Sequence, residues 1–234
     1  MKKILMLILL WTLGQGAHGA GKRFTVVTVD VKREKLQLFL NDDAGRPFKS
    51  FARLSSWLEG RGGKLSFAVN AGMYHADFSP VGLLVQEGRQ VAPLNLDDGV
   101  GNFFLKPNGV FLVSAAGAQV VESSAYGALK AKVHLATQSG PLLLHGGVMH
   151  PAFRRESTSR HLRNGVGVGA ASGKVLFVIS EEPVTFYELA AYFRDVLKCR
   201  DALYLDGAIS SLYSDKLKRH DVRAHLGPML GVVR

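Results

Sequence analysis

The sequence contains very little cysteine and relatively few acidic residues. Cys199 is the only cysteine among the 234 residues, so no disulfide forms within the chain and its stability rests on packing. We expect Cys199 to be a buried, inert thiol, because it follows a helical pattern and precedes a strand pattern. Lys and Arg outnumber Asp and Glu by 29 to 19, and the formal net charge of +10 favours anionic partners.

Several familiar signatures of catalysis and binding are also missing. The sequence has no G-x-S-x-G elbow, no P-loop and no dinucleotide-binding fingerprint. His75, His145, His150 and His161 invite a metal hypothesis, but their spacings match no zinc signature. No basic helix or aromatic-basic repeat indicates binding to nucleic acid. We therefore expect no metal, no cofactor and no nucleic acid.

The first residues have the order of a secretory signal peptide. Lys2 and Lys3 precede an apolar run over residues 4–13, and the small residues of "AHGA" follow. A membrane anchor is the alternative, but the run is shorter than the roughly 20 residues that span a bilayer. The pattern predicts a signal peptide over residues 1–19 and a mature domain over residues 20–234. It also predicts a periplasmic or secreted protein without stable membrane insertion after cleavage.

Short apolar or alternating runs dominate the remaining chain and predict strands. Residues 24–31 and 36–40 are expected to form a first hairpin, and residues 103–105 and 110–113 another around a Pro-Asn-Gly turn signal. Helical patterns are few. The sequence therefore predicts a single α+β domain with a mixed, mostly antiparallel β-sheet and a few packed helices.

One helix and one strand carry clearer signals. Thr185 and Glu188 have capping-box spacing, and the apolar residues that follow repeat at the helical period, which predicts a helix over roughly residues 185–197. Gly165, Gly167 and Gly169 alternate along an earlier strand pattern. On a strand they lie on one face and allow another group to approach closely.

Polar residues at the ends of strand patterns are candidates for a functional site. Asn70 ends one strand, and Ser139 and Gly140 interrupt two others; an ordinary turn is the alternative at both places. Arg163 precedes the glycine-alternating strand, where its planar guanidinium suits an anion; a solvated basic loop is the alternative. Asp206 follows the buried strand pattern "ALYL". A carboxylate there needs hydrogen-bond donors or a catalytic role, and a capping Asp is the structural alternative.

An ordered set of segments resembles the phosphodiester glycosidase family: "NAGMY", "GLLVQEG", "SGPLL", "RNGVGV" and "YLDGAISSLY". This family includes N-acetylglucosamine-1-phosphodiester alpha-N-acetylglucosaminidase and many exported bacterial proteins. The resemblance extends over about residues 67–213. Asn164 departs from the family's usual Thr, and Ala208 and Ile209 replace glycines.

The resemblance implies hydrolysis of a sugar–phosphate diester at the glycosidic carbon, in an envelope polymer or glycoconjugate. A phosphate-containing glycan or sugar phosphodiester is thus the implied partner. Asp206 would stabilise positive charge at the anomeric carbon, Arg163 would hold the diester, and Asn70 would orient sugar hydroxyls or water. The implied substrate-binding residues are Gly72, Ser139, Gly140, Asn164, Gly207, Ser210 and Ser211. The two lost glycines leave a second hypothesis open, a noncatalytic binding module for anionic envelope polysaccharide.

Overall fold

Short strands joined by turns account for most of the structure. The computed structural model describes residues 23–169 and 173–234, and the predicted signal peptide lies outside this range. In chain order the strands are β1 (Phe24–Asp30), β2 (Leu36–Phe39), β3 (Leu65–Asn70), β4 (Leu84–Gln86), β5 (Arg89–Ala92), β6 (Gly109–Ser114), β7 (Gly117–Glu122), β8 (Val133–Ser139), β9 (Leu142–His145), β10 (Val148–Met149), β11 (Asn164–Val168), β12 (Lys174–Ser180), β13 (Asp201–Tyr204), β14 (Leu212–Ser214), β15 (Arg219–His220) and β16 (Met229–Val233). The helices are α1 (Phe51–Glu59), α2 (Ser123–Tyr126) and α3 (Phe186–Ala191), and a π-helical turn over Tyr192–Val196 continues α3. Single-turn 3-10 helices lie at Asn102–Phe104 and Gly207–Ile209.

The strands divide among three sheets. Sheet 1 has the order β1-β12-β11-β13-β9-β10, sheet 2 the order β15-β14-β3-β16-β2, and sheet 3 the order β5-β4-β8-β6-β7. All these neighbours are antiparallel. The predicted α+β class, with mostly antiparallel strands and a few helices, is therefore confirmed.

One apolar core is shared by the three sheets. Phe67 on β3, Phe111 on β6 and Phe177 on β12 are all nearly or fully buried in it. The ring centroids of Phe67 and Phe177 lie 5.0 Å apart, and those of Phe111 and Phe177 lie 6.2 Å apart. Because each ring comes from a different sheet, burying them fixes the sheets against one another.

The predicted first hairpin is wrong. β1 pairs with β12 in sheet 1 along its whole length, whereas β2 pairs with β16 in sheet 2. The intervening turn is closed by Asp30, whose carbonyl accepts from the amides of Arg33 and Glu34. This turn sends the chain into another sheet. An alternating pattern specifies which face is buried, but not which strand is the partner.

The predicted strand over residues 103–105 is also wrong. Residues 102–104 form a 3-10 turn, and Asn108 Nδ2 donates to the Phe103 carbonyl at 2.8 Å. That bond uses the carbonyl within a local turn, so the segment does not join the sheet. The other half of the predicted hairpin, β6, pairs instead with β7 and β8.

The helix expected over residues 185–197 is present as α3 and its π-helical continuation. Both capping-box bonds form: the Thr185 hydroxyl accepts from the Glu188 amide at 3.1 Å, and Glu188 Oε2 accepts from the Thr185 amide at 2.8 Å. Phe193 packs over the glycines of β11, where a Cβ on Gly167 would lie 2.8 Å from its ring and 2.8 Å from Cys199 Sγ. The close approach expected at the alternating glycines is thus confirmed for Gly165 and Gly167, whereas Gly169 lies beyond β11 and has no close neighbour.

Cys199 is buried, as predicted, and burial raises its thiol pKa to about 11. The thiol therefore stays protonated at neutral pH, which makes it a poor nucleophile.

We expect Gly167→Ala to lower the free energy of unfolding by about 1–3 kcal/mol, because the added methyl overlaps both Phe193 and Cys199. Gly127→Ala is the matched control, since a Cβ there meets nothing within 4 Å and its φ of −63° is ordinary. Urea unfolding of both variants measures the difference. Equal stability of the two variants would contradict the tight packing of the helix on β11.

Candidate active site

Asp206 lies where the chain crosses from sheet 1 to sheet 2. β13 ends at Tyr204 in sheet 1, and β14 begins at Leu212 in sheet 2. Within this crossover the Asp206 amide donates to the carbonyl of Ala71, just beyond β3, at 3.2 Å. The carboxylate is therefore fixed between the ends of two strands from different sheets.

A pair of buried asparagine side chains joins these strand ends. Asn70 Nδ2 donates to the Asp206 main-chain carbonyl at 2.7 Å. Asn164, at the start of β11, donates from Nδ2 to Asn70 Oδ1 at 3.0 Å. Both residues are 0% exposed. Each amide is thus used within the protein, and the pair positions the backbone that carries Asp206.

Two serines complete this buried network. Ser210 Oγ donates to Asn164 Oδ1 at 3.0 Å, and the Ser211 amide donates to Asn70 Oδ1 at 3.0 Å. The Ser211 hydroxyl donates to the carbonyl of Ile209 at 2.7 Å. The structure thus brings the predicted Asn70, Asn164, Ser210 and Ser211 together beneath Asp206, where they hold the crossover in place.

The Asp206 carboxyl itself is only partly exposed. Burial raises its pKa above the ordinary value of 3.8, and a hydrogen bond from the Ala208 amide opposes this shift. Within residues 23–169 and 173–234 it forms no salt bridge. A half-buried carboxylate without a cationic partner is costly to maintain, and such groups are concentrated at functional sites.

Tyr204 is a site residue that our sequence analysis did not identify. It lies two positions before Asp206, and its ring is buried beneath α3. Its pKa is raised to about 12, chiefly by burial, while the charge of Asp206 adds to the shift and Arg163 opposes it. The Gly207 amide donates to its hydroxyl, and a Cβ on Gly207 would overlap that oxygen. The absence of a side chain at Gly207 thus permits this close approach.

Arg163 lies behind Tyr204 and is 1% exposed. It donates from Nε to the Val184 carbonyl at 2.8 Å, from Nη1 to the Tyr204 hydroxyl at 3.4 Å and from Nη2 to the Ser159 carbonyl at 3.2 Å. Its guanidinium carbon lies 3.7 Å from the ring centroid of Phe186. One N–H on each terminal nitrogen has no acceptor among the described residues. Because Arg163 is 1% exposed, however, these groups do not reach the protein surface.

The charge of Arg163 has no carboxylate partner in the described part of the chain. A buried guanidinium usually forms a salt bridge. Arg163 is surrounded instead by carbonyls, a hydroxyl and aromatic rings. Burial accordingly lowers its pKa from the usual value. The region behind Tyr204 is therefore electropositive.

The predicted Ser139–Gly140 loop lies at the end of β8 in sheet 3, and Gly72 packs against the same strand. The Pro141 carbonyl accepts from the Tyr204 amide at 3.1 Å, so this loop adjoins the site. Ser139 is 0% exposed, and its Oγ has no hydrogen-bond partner among the described residues. The Gly72 amide donates to Thr137 Oγ1 at 3.2 Å. Of this loop, Pro141 is thus the residue that contacts Tyr204, while Ser139 and Gly72 are buried against sheet 3.

Two features of the described residues, side-chain clusters and cavities, add nothing to the Asp206 site. No group of three or more His, Cys, Asp and Glu side chains in that part of the chain is arranged to hold a metal ion. A cavity of about 950 Å³ lies elsewhere, beside β2 and α1, where Trp57 and Arg61 contribute to its lining. Neither Asp206 nor Arg163 lines this cavity.

The chain is similar in sequence to a known family and to a curated protein. The profile of the phosphodiester glycosidase family matches residues 63–233. The uncharacterized protein YigE of Escherichia coli strain K12 is 33% identical over 186 residues, which cover 80% of this chain and 72% of that protein.

Solved structures with the same fold include two that cover 90% or more of this chain. The catalytic domain of zebrafish N-acetylglucosamine-1-phosphodiester alpha-N-acetylglucosaminidase superposes with a TM-score of 0.61 at 12% identity, covering 92% of this chain and 85% of that chain. A hypothetical protein from Synechocystis superposes with a TM-score of 0.52 at 14% identity, covering 90% of this chain and 59% of that chain. At these identities the likeness concerns the fold alone.

Proposed function

This chain belongs to the phosphodiester glycosidase family, and on that premise we propose that it hydrolyses the glycosidic bond of a sugar–phosphate diester in an envelope polymer or glycoconjugate. The observation that carries the proposal is the half-buried Asp206 carboxylate, fixed at the crossover between sheets 1 and 2 without a cationic partner. A rigid carboxylate of this kind suits a reaction that develops positive charge at one carbon.

In the proposed reaction, water attacks the anomeric carbon and the bond from that carbon to the phosphate oxygen breaks. The electron pair of this bond leaves with the phosphomonoester, the free sugar carries the oxygen of water, and the proton that water loses passes to the solvent. Asp206, ionised, stabilises the positive charge that develops on the sugar ring. The phosphate is already an anionic leaving group, so the reaction needs less acid assistance than hydrolysis of an ordinary glycoside.

The buried residues around Asp206 act by positioning it. Asn70 holds the Asp206 carbonyl, while Tyr204 accepts from the Gly207 amide beside it. Arg163 donates in turn to the Tyr204 hydroxyl. Because the carboxylate is held from both sides in this way, it needs to move little when the transition state forms. Direct contact between Arg163 and the diester stays a prediction.

Turnover of purified protein on a panel of phosphate-linked sugars tests the proposal. We expect equal amounts of free sugar and phosphomonoester to be released. Ordinary glycosides with the same sugar are the control and should react far more slowly, because their leaving groups are poorer. Release from ordinary glycosides alone would contradict the proposed substrate class.

The noncatalytic alternative has little structural support. It rested on Ala208 and Ile209 narrowing a glycine-rich loop, but Ala208 is exposed and Ile209 packs against the apolar cluster beneath α1. Binding of phosphate-containing glycans without turnover of any member of the panel would nevertheless favour it over the enzyme.

We further propose that the protein is exported to the periplasm or secreted, on the basis of the signal-peptide pattern in residues 1–19. No helix among the described residues is long and apolar enough to cross a membrane. Export predicts a mature chain that begins at Ala20. N-terminal sequencing of protein purified from the periplasm or medium checks this, and an intact Met1 on the active protein would contradict it.

A further inference from the structure

We propose that Lys49 binds the phosphate group of the substrate at the entrance to the Asp206 site. This inference rests on the proposed function and assigns a binding role to a residue far from the family's motifs in sequence. Because Arg163 is almost completely buried, an accessible cation is needed for direct contact with an anionic diester.

Lys49 contacts one member of a stacked aromatic pair, and the other member is Tyr74. Its Nζ lies 4.4 Å from the ring centroid of Phe78. The Phe78 ring stacks on Tyr74 with 5.4 Å between centroids and 11° between planes. Gly227 packs directly against the Tyr74 ring, with no room for a Cβ. These contacts restrict where the Lys49 ammonium can lie.

The same cluster is tied to neighbouring segments by hydrogen bonds. The Tyr74 hydroxyl donates to the His225 carbonyl at 2.5 Å, and the Leu226 amide donates to the Lys49 carbonyl at 2.9 Å. The segment carrying Lys49, the segment carrying Tyr74 and the segment of residues 225–227 are therefore fixed together, which orders Lys49 without a carboxylate.

The backbone at two of these residues is strained. Lys49 has a φ of 61° and Phe78 a φ of 70°, in the left-handed region that favours glycine. A left-handed bulky residue is uncommon and persists where surrounding contacts enforce it; such residues are concentrated at functional sites. Here the two strained residues are in contact with each other through the cation and the ring.

The cluster is next to Asp206. Ala71, whose carbonyl accepts from the Asp206 amide, lies only three positions before Tyr74. The pKa of Tyr74 is raised by burial and, to a smaller extent, by the charge of Asp206. We therefore place Lys49 on the Tyr74 side of Asp206, where it would meet the phosphate of a sugar bound there.

The charge of Lys49 is available for this role. It forms no salt bridge within the described ranges. Asp77, the acidic residue next to Phe78 in the sequence, accepts instead from the amide and hydroxyl of Ser79 at 2.9 and 2.6 Å. An anionic ligand would thus supply the counter-charge that the protein does not.

Calorimetric titration with inorganic phosphate, run beside turnover assays, tests this role. Lys49→Asn removes the charge, and Asn tolerates a left-handed backbone. Lys49→Arg keeps the charge. Lys218→Asn is the matched control: Lys218 is exposed, has a φ of 50° and lies in the turn between β14 and β15.

We expect Lys49→Asn to weaken phosphate binding by about ten- to hundredfold and to raise KM for the diester, as expected for a lost charge-assisted bond. Lys49→Arg should restore most of the binding, and Lys218→Asn should match the wild type. Unchanged phosphate binding in Lys49→Asn, or no phosphate binding by the wild type, would overturn the role of Lys49. Phosphate binding that depends on Lys49 without any diester turnover would instead overturn the proposed function alone.

Discussion

Asp206→Asn is expected to lower kcat/KM for a sugar–phosphate diester by about 10³-fold or more. The variant keeps the shape of the side chain and an oxygen that accepts from the Ala208 amide. It loses only the negative charge that stabilises the developing positive charge on the sugar. The loss should therefore appear mainly in kcat.

The same variant should be more stable than the wild type at neutral pH. Because the pKa of Asp206 is raised in the folded state, the folded protein binds the proton more tightly than the unfolded chain does. The contribution of Asp206 to stability is thus most favourable below its ordinary pKa of 3.8 and declines as pH rises through the folded value. Asn does not ionise, so the variant avoids this decline.

Asp98→Asn is the control for this pair of effects. Asp98 is exposed, and its hydrogen bond with Lys106 lowers its pKa, so the sign of the stability change is opposite. Its activity should equal that of the wild type. Thermal unfolding and turnover between pH 4 and 8 measure both quantities. If the folded Asp206→Asn variant remains active, Asp206 is not the catalytic carboxylate.

Arg163→Lys is expected to lower the free energy of unfolding by about 3 kcal/mol. A lysine ammonium keeps the charge, but it cannot reach Val184, Tyr204 and Ser159 together or stack flat on a ring. At least two of the three hydrogen bonds from residue 163 are then lost. The Tyr204 hydroxyl also loses its support, and kcat should fall about 10- to 100-fold.

Arg155→Lys provides the control, because Arg155 is exposed in the loop that precedes Arg163. We expect its stability and kinetics to be those of the wild type. The division between kcat and KM in Arg163→Lys separates two roles. A fall in kcat at constant KM indicates positioning through Tyr204, whereas a rise in KM at constant kcat would show that the guanidinium binds the diester directly.

Local signals in the sequence predicted local structure well. The helix beginning after Thr185 carries its capping bonds within four residues, and Gly167 marks the face on which that helix packs. The pairing of β1 and β2 was not predictable in this way. Their alternation shows that each has a buried face, but the partner of each strand comes from a distant segment.

The candidate site was predicted in part for a similar reason. Asn70, Asn164 and Asp206 stand at strand ends, and the sheets bring these ends together. Tyr204 was recognisable in principle, because it is the one side chain with a polar group in the pattern "ALYL" and precedes Asp206 by two residues. Lys49 carried no such signal, since its place beside Phe78 depends on tertiary contacts alone.

Hydrolysis in ¹⁸O-labelled water tests the central claim most directly, because it identifies the bond that breaks. If the carboxylate of Asp206 stabilises positive charge on the sugar, the label enters the released sugar and the phosphomonoester remains unlabelled. Asp206→Asn should abolish this incorporation. Label in the phosphomonoester, with none in the sugar, would show attack at phosphorus and would contradict the account.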